Sequence, residues 1–583
     1  MCGIFGFVSS RQREASVVFE ALRELEYRGY DSWGIAVDTG GRLAVEKHVG
    51  PISRATAALP AGRAALGHTR WATHGGVTDA NAHPHLDCSG RFALIHNGIV
   101  ENHRELAARL GSGHCFRSQT DTEVLVHSLE ERAGDVDLLP ALLAVIRDVQ
   151  GLSAVAVLDV CTGQIVAAKN GSPLAVGWGD DGIYLSSDPA ALGTHAREVA
   201  FLEDGHAVAL GDRGAAAFDI ATGLPVTLTR NRVECEAQRG TLAGYRDYMT
   251  KEIHEQPEAL RRIAHDPGPA ALGQLFEQAR EIVLTGCGTA YHAALSGRAY
   301  LAAAGRAAHV AMASEMPALE PILDADTLVV ALSQSGETID VLEAVRAARA
   351  AGARVASVVN VPGSTLDRLC DVSVHLACGP EKCVLATKSY TGKLAVLQIA
   401  AGCAAGRESE TRAAVAASAD AIETVLRQEA SDRAIRRAAE RIAEDQHLFI
   451  LGRGQCYPAA LETALKIKEV SYLHAEGFPS GELKHGVIAL VTNGTPCIIL
   501  APDGPGRKEA LAAAAEVRAR GAFTIGVSPC DEPEFDLTLR AGKESTALFE
   551  IAATAQLLAY NLAILRGCDP DKPRNLAKSV TVK

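Results

Sequence analysis

The sequence predicts an α+β domain followed by two α/β domains with parallel sheets. Three observations carry that prediction. Residues 1 to about 235 alternate short strands, such as Arg42–Glu46 and Arg91–Ile95, with helical stretches at Ala15–Leu25 and Thr122–Arg132. Past about residue 250, apolar runs lead into Gly-containing turns and then into helices, as βα units do. This second part is doubled: the strand and Gly turn of Ile282–Tyr291 recur as Leu448–Tyr457. Gly286/Gly452, Gly288/Gly454, Tyr291/Tyr457, Ala293/Ala459, Ala294/Ala460 and Leu295/Leu461 align without a gap.

A chain of 583 residues needs about three or four cores. Its hydrophobic fraction of 48% and charged fraction of 22% are those of an ordinary globular protein. The net charge of -13 argues against a nucleic-acid or anionic-membrane partner, because a polyanion needs a basic field. Any anionic substrate must then be held by local dipoles and a few lysines. The fourteen Cys are scattered, with no C-x-x-C pair and no Cys/His cluster at zinc spacing. That pattern implies a reducing, cytoplasmic setting, no disulfide framework and no metal. The apolar start is too short for a signal peptide, and no run approaches the length of a membrane span.

The first element is Met1-Cys2-Gly3-Ile4-Phe5-Gly6-Phe7. Removal of Met1 would leave a thiol beside its own α-amine, whose reference pKa of about 8 suits a base. The competing reading is a buried Cys opening a strand. Polar clusters follow: Tyr27–Ser32 after the first helix, His68–Gly75 after an apolar strand, His96-Asn97-Gly98 closing another strand, and Ser118–Glu123 opening a helix. Each alone reads equally well as a turn or an N-cap.

Together these residues resemble the class II glutamine amidotransferases, which use an N-terminal nucleophile (Ntn), over the first 235 residues. The Cys-Gly-Ile start, T-R-W-A-T-H-G, H-N-G and T-D-T-E occur in the family's order. The resemblance implies an αββα sandwich in which Cys2 attacks the glutamine side-chain amide. Asn97 and the backbone N–H of Gly98 would form the oxyanion hole. Arg70 would bind the α-carboxylate and Asp121 the α-ammonium. Thr73, His74 and His83 would shape or border the pocket, and Arg28 would help order the closed site.

Residues 236–250 turn polar and irregular and read as a linker, with a helix starting at Tyr248. In the first α/β copy, Leu328–Leu332 leads into Ser333-Gln334-Ser335-Gly336-Glu337-Thr338. Three hydroxyls, a Gly and free helix-start amides suit a phosphate, although a capped helix with a capping box explains the same residues. The matching loop of the second copy, Ala501–Pro505, has lost the hydroxyls and gained Asp503, so one phosphate site is expected, in the first copy. The second copy carries acid-base groups instead. Glu462, Lys466 and Glu469 share one helix face, for which a solvated salt-bridge ladder is the ordinary reading. A loop with Glu482 and His485 follows, and the end of the chain, Arg574 to Lys583, has an apolar rhythm around Lys578.

S-Q-S-G-E-T, E-x-x-x-K-x-x-E, G-E-L-K-H-G and R-N-L-A-K-S-V-T-V together resemble the isomerising glutamine:fructose-6-phosphate aminotransferases over essentially the whole chain. That resemblance implies a glutaminase domain (2–235), the linker (236–250), a phosphate-binding sugar isomerase (SIS) domain (251–425), a second SIS domain bearing acid-base residues (426–567), and a closing tail (568–583). Ser333, Gln334, Ser335 and Thr338 would hold the sugar phosphate, with Thr289 nearby. His485 would open the ring, Lys578 would form a Schiff base, and Glu469 would move a proton with help from Lys466. Trp71 would gate an ammonia tunnel. The implied partners are L-glutamine and a sugar phosphate, with no cofactor, and a homodimer through the SIS domains is expected by analogy. Ala290, Ala386 and Val487 depart from the family's C-G-T-S, A-S-T-K and K-H-G-P. These departures leave open a paralogue acting on another sugar phosphate, or a sugar-phosphate sensor without turnover.

Overall fold

Strand β1 (Gly3–Arg13) opens with seven consecutive buried residues, the signature of a strand covered on both faces. In the computed structural model it lies inside an eight-stranded sheet, antiparallel to β2 (Gly62–Arg70) and to Ile183–Ser186. Its side chains alternate as a pleat requires: Ile4 and Val8 join a core between two sheets, while Phe5 and Phe7 pack outward against Val18 and Leu22 of the helix Ser16–Glu24. A seven-stranded antiparallel sheet supplies the other half of that inner core through Ala93 and Ile95 of β3 (Phe92–Gly98). On the far side of β3, Leu94 packs under α1 (Glu123–Ala133) and the helix Leu138–Asp148. The layers run helix, sheet, sheet, helix, which is the expected αββα sandwich.

The structure describes residues 2–56, 58–134, 136–212, 214–232, 241–542 and 545–581. The chain divides into two compact units, Met1–Arg239 with Ala577–Lys583, and Gly240–Leu576. Residues 236–240 of the expected linker, and Met1, Val582 and Lys583, lie outside the described residues. The last residues of that linker are already helical, because Asp247 Oδ1 accepts from Thr250 N and starts the helix Tyr248–His254.

In the second unit, β4 (Glu281–Gly286), α2 (Thr289–Ala303), β5 (Thr327–Leu332) and α3 (Ile339–Ala350) belong to one five-stranded parallel sheet and its helices. Strand β6 (His447–Gly452), α4 (Cys456–Ser471) and β7 (Pro496–Leu500) belong to a second. In both sheets the second strand in the chain lies at an edge beside the first, and the third lies on the first strand's other side. The shared order matches the internal duplication and creates a switch point between β4 and β5, and again between β6 and β7.

Two sequence expectations change here. The boundary expected between residues 425 and 426 falls inside the helix Glu408–Arg427, whose Val415, Ala419 and Ile422 share one core cluster with strands of both sheets. Also, α5 (Ala547–Leu565) is long and apolar enough to cross a membrane, with mean hydropathy 1.5, contrary to the expectation that no run approaches such a length. Its apolarity has a core explanation, since Ala553, Leu558, Ala559, Leu562 and Ala563 are buried in that same cluster.

Candidate functional site

The register of β1 against β2 sets Gly3 opposite Thr69 and so brings Cys2 beside Arg70 and Trp71. The Trp71 backbone N–H donates to Cys2 Sγ at 3.3 Å, and Sγ lies 3.6 Å from the Trp71 carbonyl. Burial pushes the Cys2 thiol up, against the pull of the Trp71 N–H and the Arg70 guanidinium. A thiol so placed needs an adjacent base, which a free α-amine on the same residue would provide.

Asn97 Nδ2 donates to the Cys2 carbonyl at 2.9 Å, and its second N–H meets no described residue. Its Oδ1 lies 3.0 Å from His68 Nε2, which also lies 3.0 Å from the His96 carbonyl. Two acceptors at one ring nitrogen require the proton there, and burial lowers His68 to about 3, so the ring is neutral. His68 therefore fixes which way the Asn97 amide points. Gly98 has φ +141, and a Cβ on it would stand 2.1 Å from the Leu152 carbonyl, so only Gly fits.

Asp121 Oδ2 accepts from Val100 N at 2.6 Å, while its Oδ1 is bonded to no described residue. The buried Arg70 donates to the carbonyls of Gly76 (3.1 Å) and His74 (2.5 Å), which ties the loop after β2 around it. Asp31 Oδ2 accepts from Ala72 N at 2.8 Å and holds the same turn. The Trp71 ring is half-buried, with the Tyr30 ring 6.0 Å away. Cys2, Arg70, Trp71, Asn97, Gly98 and Asp121 are thus tied by neighbouring contacts. The remaining glutaminase residues have contacts of their own. Thr73 is exposed, and His74 meets the ring of His103 at 4.6 Å. His83 stacks on His68 at 4.2 Å and accepts from His96 N, which is scaffold work. Arg28 is bound 2.8 Å from Asp188, with Tyr27 on the same carboxylate. Its charge is paired with Asp188, and its guanidinium also donates to the Tyr27 hydroxyl oxygen at 3.1 Å.

In the second unit the loop after β5 lies at the switch point. Ser333 Oγ accepts from Gly336 N (3.0 Å) and Ser335 Oγ from Glu337 N (3.2 Å), while Gln334, Ser335 and Thr338 remain half-exposed. Gly336 has φ +69, and a Cβ there would stand 2.0 Å from Ser364 Oγ. Thr338 is the N-cap residue of α3, yet its hydroxyl makes no capping bond. Glu337 instead accepts from Thr365 N at 2.8 Å, so the capping-box explanation of this loop does not hold.

The acid-base face of α4 is not a solvated ladder. Lys466 is about 1% exposed and lies 2.6 Å from Glu469 and 3.5 Å from Glu462. Burial opposes its charge, but Glu469 and Glu462 outweigh burial and raise Lys466 above the ordinary lysine range. Glu462 also accepts from Thr289 Oγ1 (3.1 Å) and meets His292 Nδ1 (2.8 Å), joining α4 to α2. The Thr289 hydroxyl expected beside the phosphate is thus committed to Glu462, and His292 is a member of the cluster that the sequence did not reveal. His485, by contrast, is exposed on the turn Ser480–His485 and makes no contact with this cluster. Lys578 is half-buried in Ala577–Lys583, which groups with the first unit.

One further expectation needs correction. Spacing suggested no Cys/His grouping, yet Cys88, His114, His127 and Glu130 converge in the first unit, their donor atoms all within 4.8 Å of one another. They are spread over three loop and helix segments, so no linear motif announces them.

An Ntn-type sandwich with a cysteine at its first strand, followed by two parallel-sheet copies with a hydroxyl-rich switch-point loop, defines a glutamine amidotransferase joined to sugar isomerase domains. The glutamine amidotransferase domain model matches residues 1–210, and the SIS domain model matches residues 275–402 and 441–566. Glutamine–fructose-6-phosphate aminotransferase [isomerizing] of Symbiobacterium thermophilum is 41% identical, and that of Aeropyrum pernix 42%, each over 100% of both chains. The solved C-terminal domain of glucosamine-fructose-6-phosphate aminotransferase from Francisella tularensis is 32% identical with a TM-score of 0.53, covering 57% of this chain and 100% of its own. The chain belongs to the family of isomerising glutamine–fructose-6-phosphate aminotransferases.

Proposed function

We infer that this protein transfers the amide nitrogen of glutamine to fructose 6-phosphate and isomerises the product, giving glucosamine 6-phosphate and glutamate. The observation that carries this reading is the full-length match to relatives of that name, with both halves of the required machinery in one chain.

Cys2 attacks the side-chain amide carbon of glutamine, its proton passing through the α-amine to the departing ammonia. The second N–H of Asn97 and the amide of Gly98 receive the oxyanion, and water then releases glutamate from the thioester. Arg70 and the open Oδ1 of Asp121 hold the two ends of the amino acid. Ser333, Gln334, Ser335 and Thr338 take the sugar phosphate, His485 opens the ring, and Lys578 forms an imine at C2 that ammonia displaces. Glu469, paired with Lys466, then carries the proton from C1 to C2. Ammonia passes between the sites behind Trp71, because in open water it would be protonated and lost. The enzyme acts as a cytoplasmic homodimer joined through its SIS domains.

The test is incubation with glutamine and a panel of ketose and aldose phosphates, with product identification. Glucosamine 6-phosphate from fructose 6-phosphate alone supports the reading. Efficient amination of another sugar phosphate would place the paralogue first, through Ala290, Ala386 and Val487. Cys2→Ala should abolish glutamine-dependent synthesis while sugar-phosphate binding persists. Borohydride added with the ketose phosphate should trap an adduct on Lys578, which Lys578→Arg removes.

A further inference from the structure

The Cys88, His114, His127 and Glu130 cluster lies outside the glutaminase machinery and has the shape of a closed metal site. Cys88 sits in the turn between the short strand His85–Leu86 and β3, and His114 in the loop before α1. His127 and Glu130 are three residues apart on one face of α1. Cys88 Sγ lies 3.7 Å from His127 Nδ1 and 3.9 Å from His114 Nδ1. Glu130 Oε2 lies 3.0 Å from His114 Nδ1 and 3.3 Å from His127 Nδ1. Tetrahedral zinc, with Zn–N of about 2.0–2.1 Å and Zn–S of about 2.3 Å, holds its donors about 3.3–3.6 Å apart. The observed separations sit around that range.

The surroundings point the same way. The outer nitrogen of His114, Nε2, lies 3.2 Å from Glu131 Oε1, and that of His127 lies 3.8 Å from Glu123 Oε1. Carboxylates behind ligating imidazoles fix the tautomer and turn the inner nitrogen toward the metal. With Nε2–H of His114 facing Glu131, its inner Nδ1 carries a bare lone pair against the Glu130 carboxylate. A cation between them relieves that repulsion, as a proton on Nδ1 also would. The Cys115 N–H donates to Cys88 Sγ at 3.4 Å, as backbone amides do to a metal-bound thiolate. A network of protonated histidines would satisfy the carboxylate, with the Cys88 thiol beside both rings, whereas a metal ion engages all four donors at one centre.

We propose that Cys88, His114, His127 and Glu130 bind one divalent zinc ion in a structural, four-ligand site. Cys88 binds as thiolate and releases its proton to solvent; no electron transfer is involved. The ion ties the Cys88 turn and the His114 loop to α1. The segment between His114 and α1 carries Asp121, so the site braces the side of the glutamine pocket that holds the α-ammonium.

The experiment uses the full chain carrying Cys2→Ala, so that the N-terminal amine and thiol do not compete for metal. After zinc loading and gel filtration, about one zinc per chain is expected, and cobalt(II) in its place should give strong tetrahedral visible bands with a thiolate charge-transfer band. Cys88→Ser, at an exposed position that disturbs no core, should erase the charge-transfer band and weaken zinc at least about tenfold against a competing chelator. Glu130→Gln should weaken it likewise, whereas Cys115→Ser, which contributes only a backbone N–H, should retain the site. Less than about a tenth of an equivalent of zinc in the folded protein overturns the proposal. So does a cobalt spectrum unchanged by Cys88→Ser, or one lost in Cys115→Ser alone.

Discussion

Replacing His68 by Leu tests whether the oxyanion donor is oriented from behind. His68 Nε2 is the donor that holds Asn97 Oδ1 at 3.0 Å, leaving Nδ2 to face Cys2. One neutral hydrogen bond contributes about 0.5–1.5 kcal/mol net, so removing it lets the amide turn and lowers the competent fraction about two- to tenfold. Asn97→Ala removes the donor itself and should cost about 10²–10³. The order Asn97→Ala below His68→Leu below wild type is therefore expected in kcat for glutamine hydrolysis. KM should change little, because the oxyanion exists only in the transition state. Burial lowers His68 to about 3, so the ring is neutral throughout the working range and the His68→Leu deficit should be flat with pH between about 6 and 8. His68→Gln keeps an N–H donor and should recover most of the rate. The assay is glutamate release with thermal unfolding measured in parallel. A folded His68→Leu protein with unchanged kcat, or a loss confined to KM, would refute the reasoning.

Three other perturbations follow from the geometry. Lys466→Met leaves Glu462 and Glu469 without their buried cation and should destabilise the SIS unit by roughly 3–5 kcal/mol, with Glu462→Gln in the same chain restoring part of the loss; a melting profile checks this. Ser335→Ala with Thr338→Ala should raise the sugar-phosphate requirement and leave glutamine affinity alone; an unchanged requirement would make this loop a helix start without a ligand. Burial raises Asp571 to about 6, even though the N–H groups of Tyr248 and Met249 favour its charge. The folded state then holds this proton more tightly than the unfolded state, so its stabilising effect is full below about pH 4 and lost as pH rises toward about 6. Asp571→Asn should therefore gain thermal stability relative to wild type as pH rises through that window; a difference independent of pH would count against it.

Much of this was legible in the chain itself. Period-2 apolar runs located β3, and the 3.6-residue pattern at Thr122–Arg132 found α1, because backbone geometry turns spacing into faces. The repeated Gly turns announced two equivalent sheets, since a duplicated strand–turn–helix must bury its apolar surface in the same way twice. The cysteine start and the hydroxyl-rich loop Ser333–Thr338 stood out in the sequence because their residues are contiguous.

What only tertiary structure decided depends on side chains far apart in sequence. Glu462, Lys466 and Glu469 looked like a solvated ladder until α2 and α5 covered α4; a helix face carries no mark of what will pack on it. Arg28 was expected to help order the closed site, and only the fold brings it to Asp188, 160 residues away. His68 acquired its neutral charge and its N–H orientation from burial among His83, His96 and Asn97, none of which periodicity predicts as its neighbours. The convergence of Cys88, His114, His127 and Glu130 was likewise invisible. Local spacing sets which way a side chain points along its own element, while desolvation and charge pairing arise only where separate elements meet.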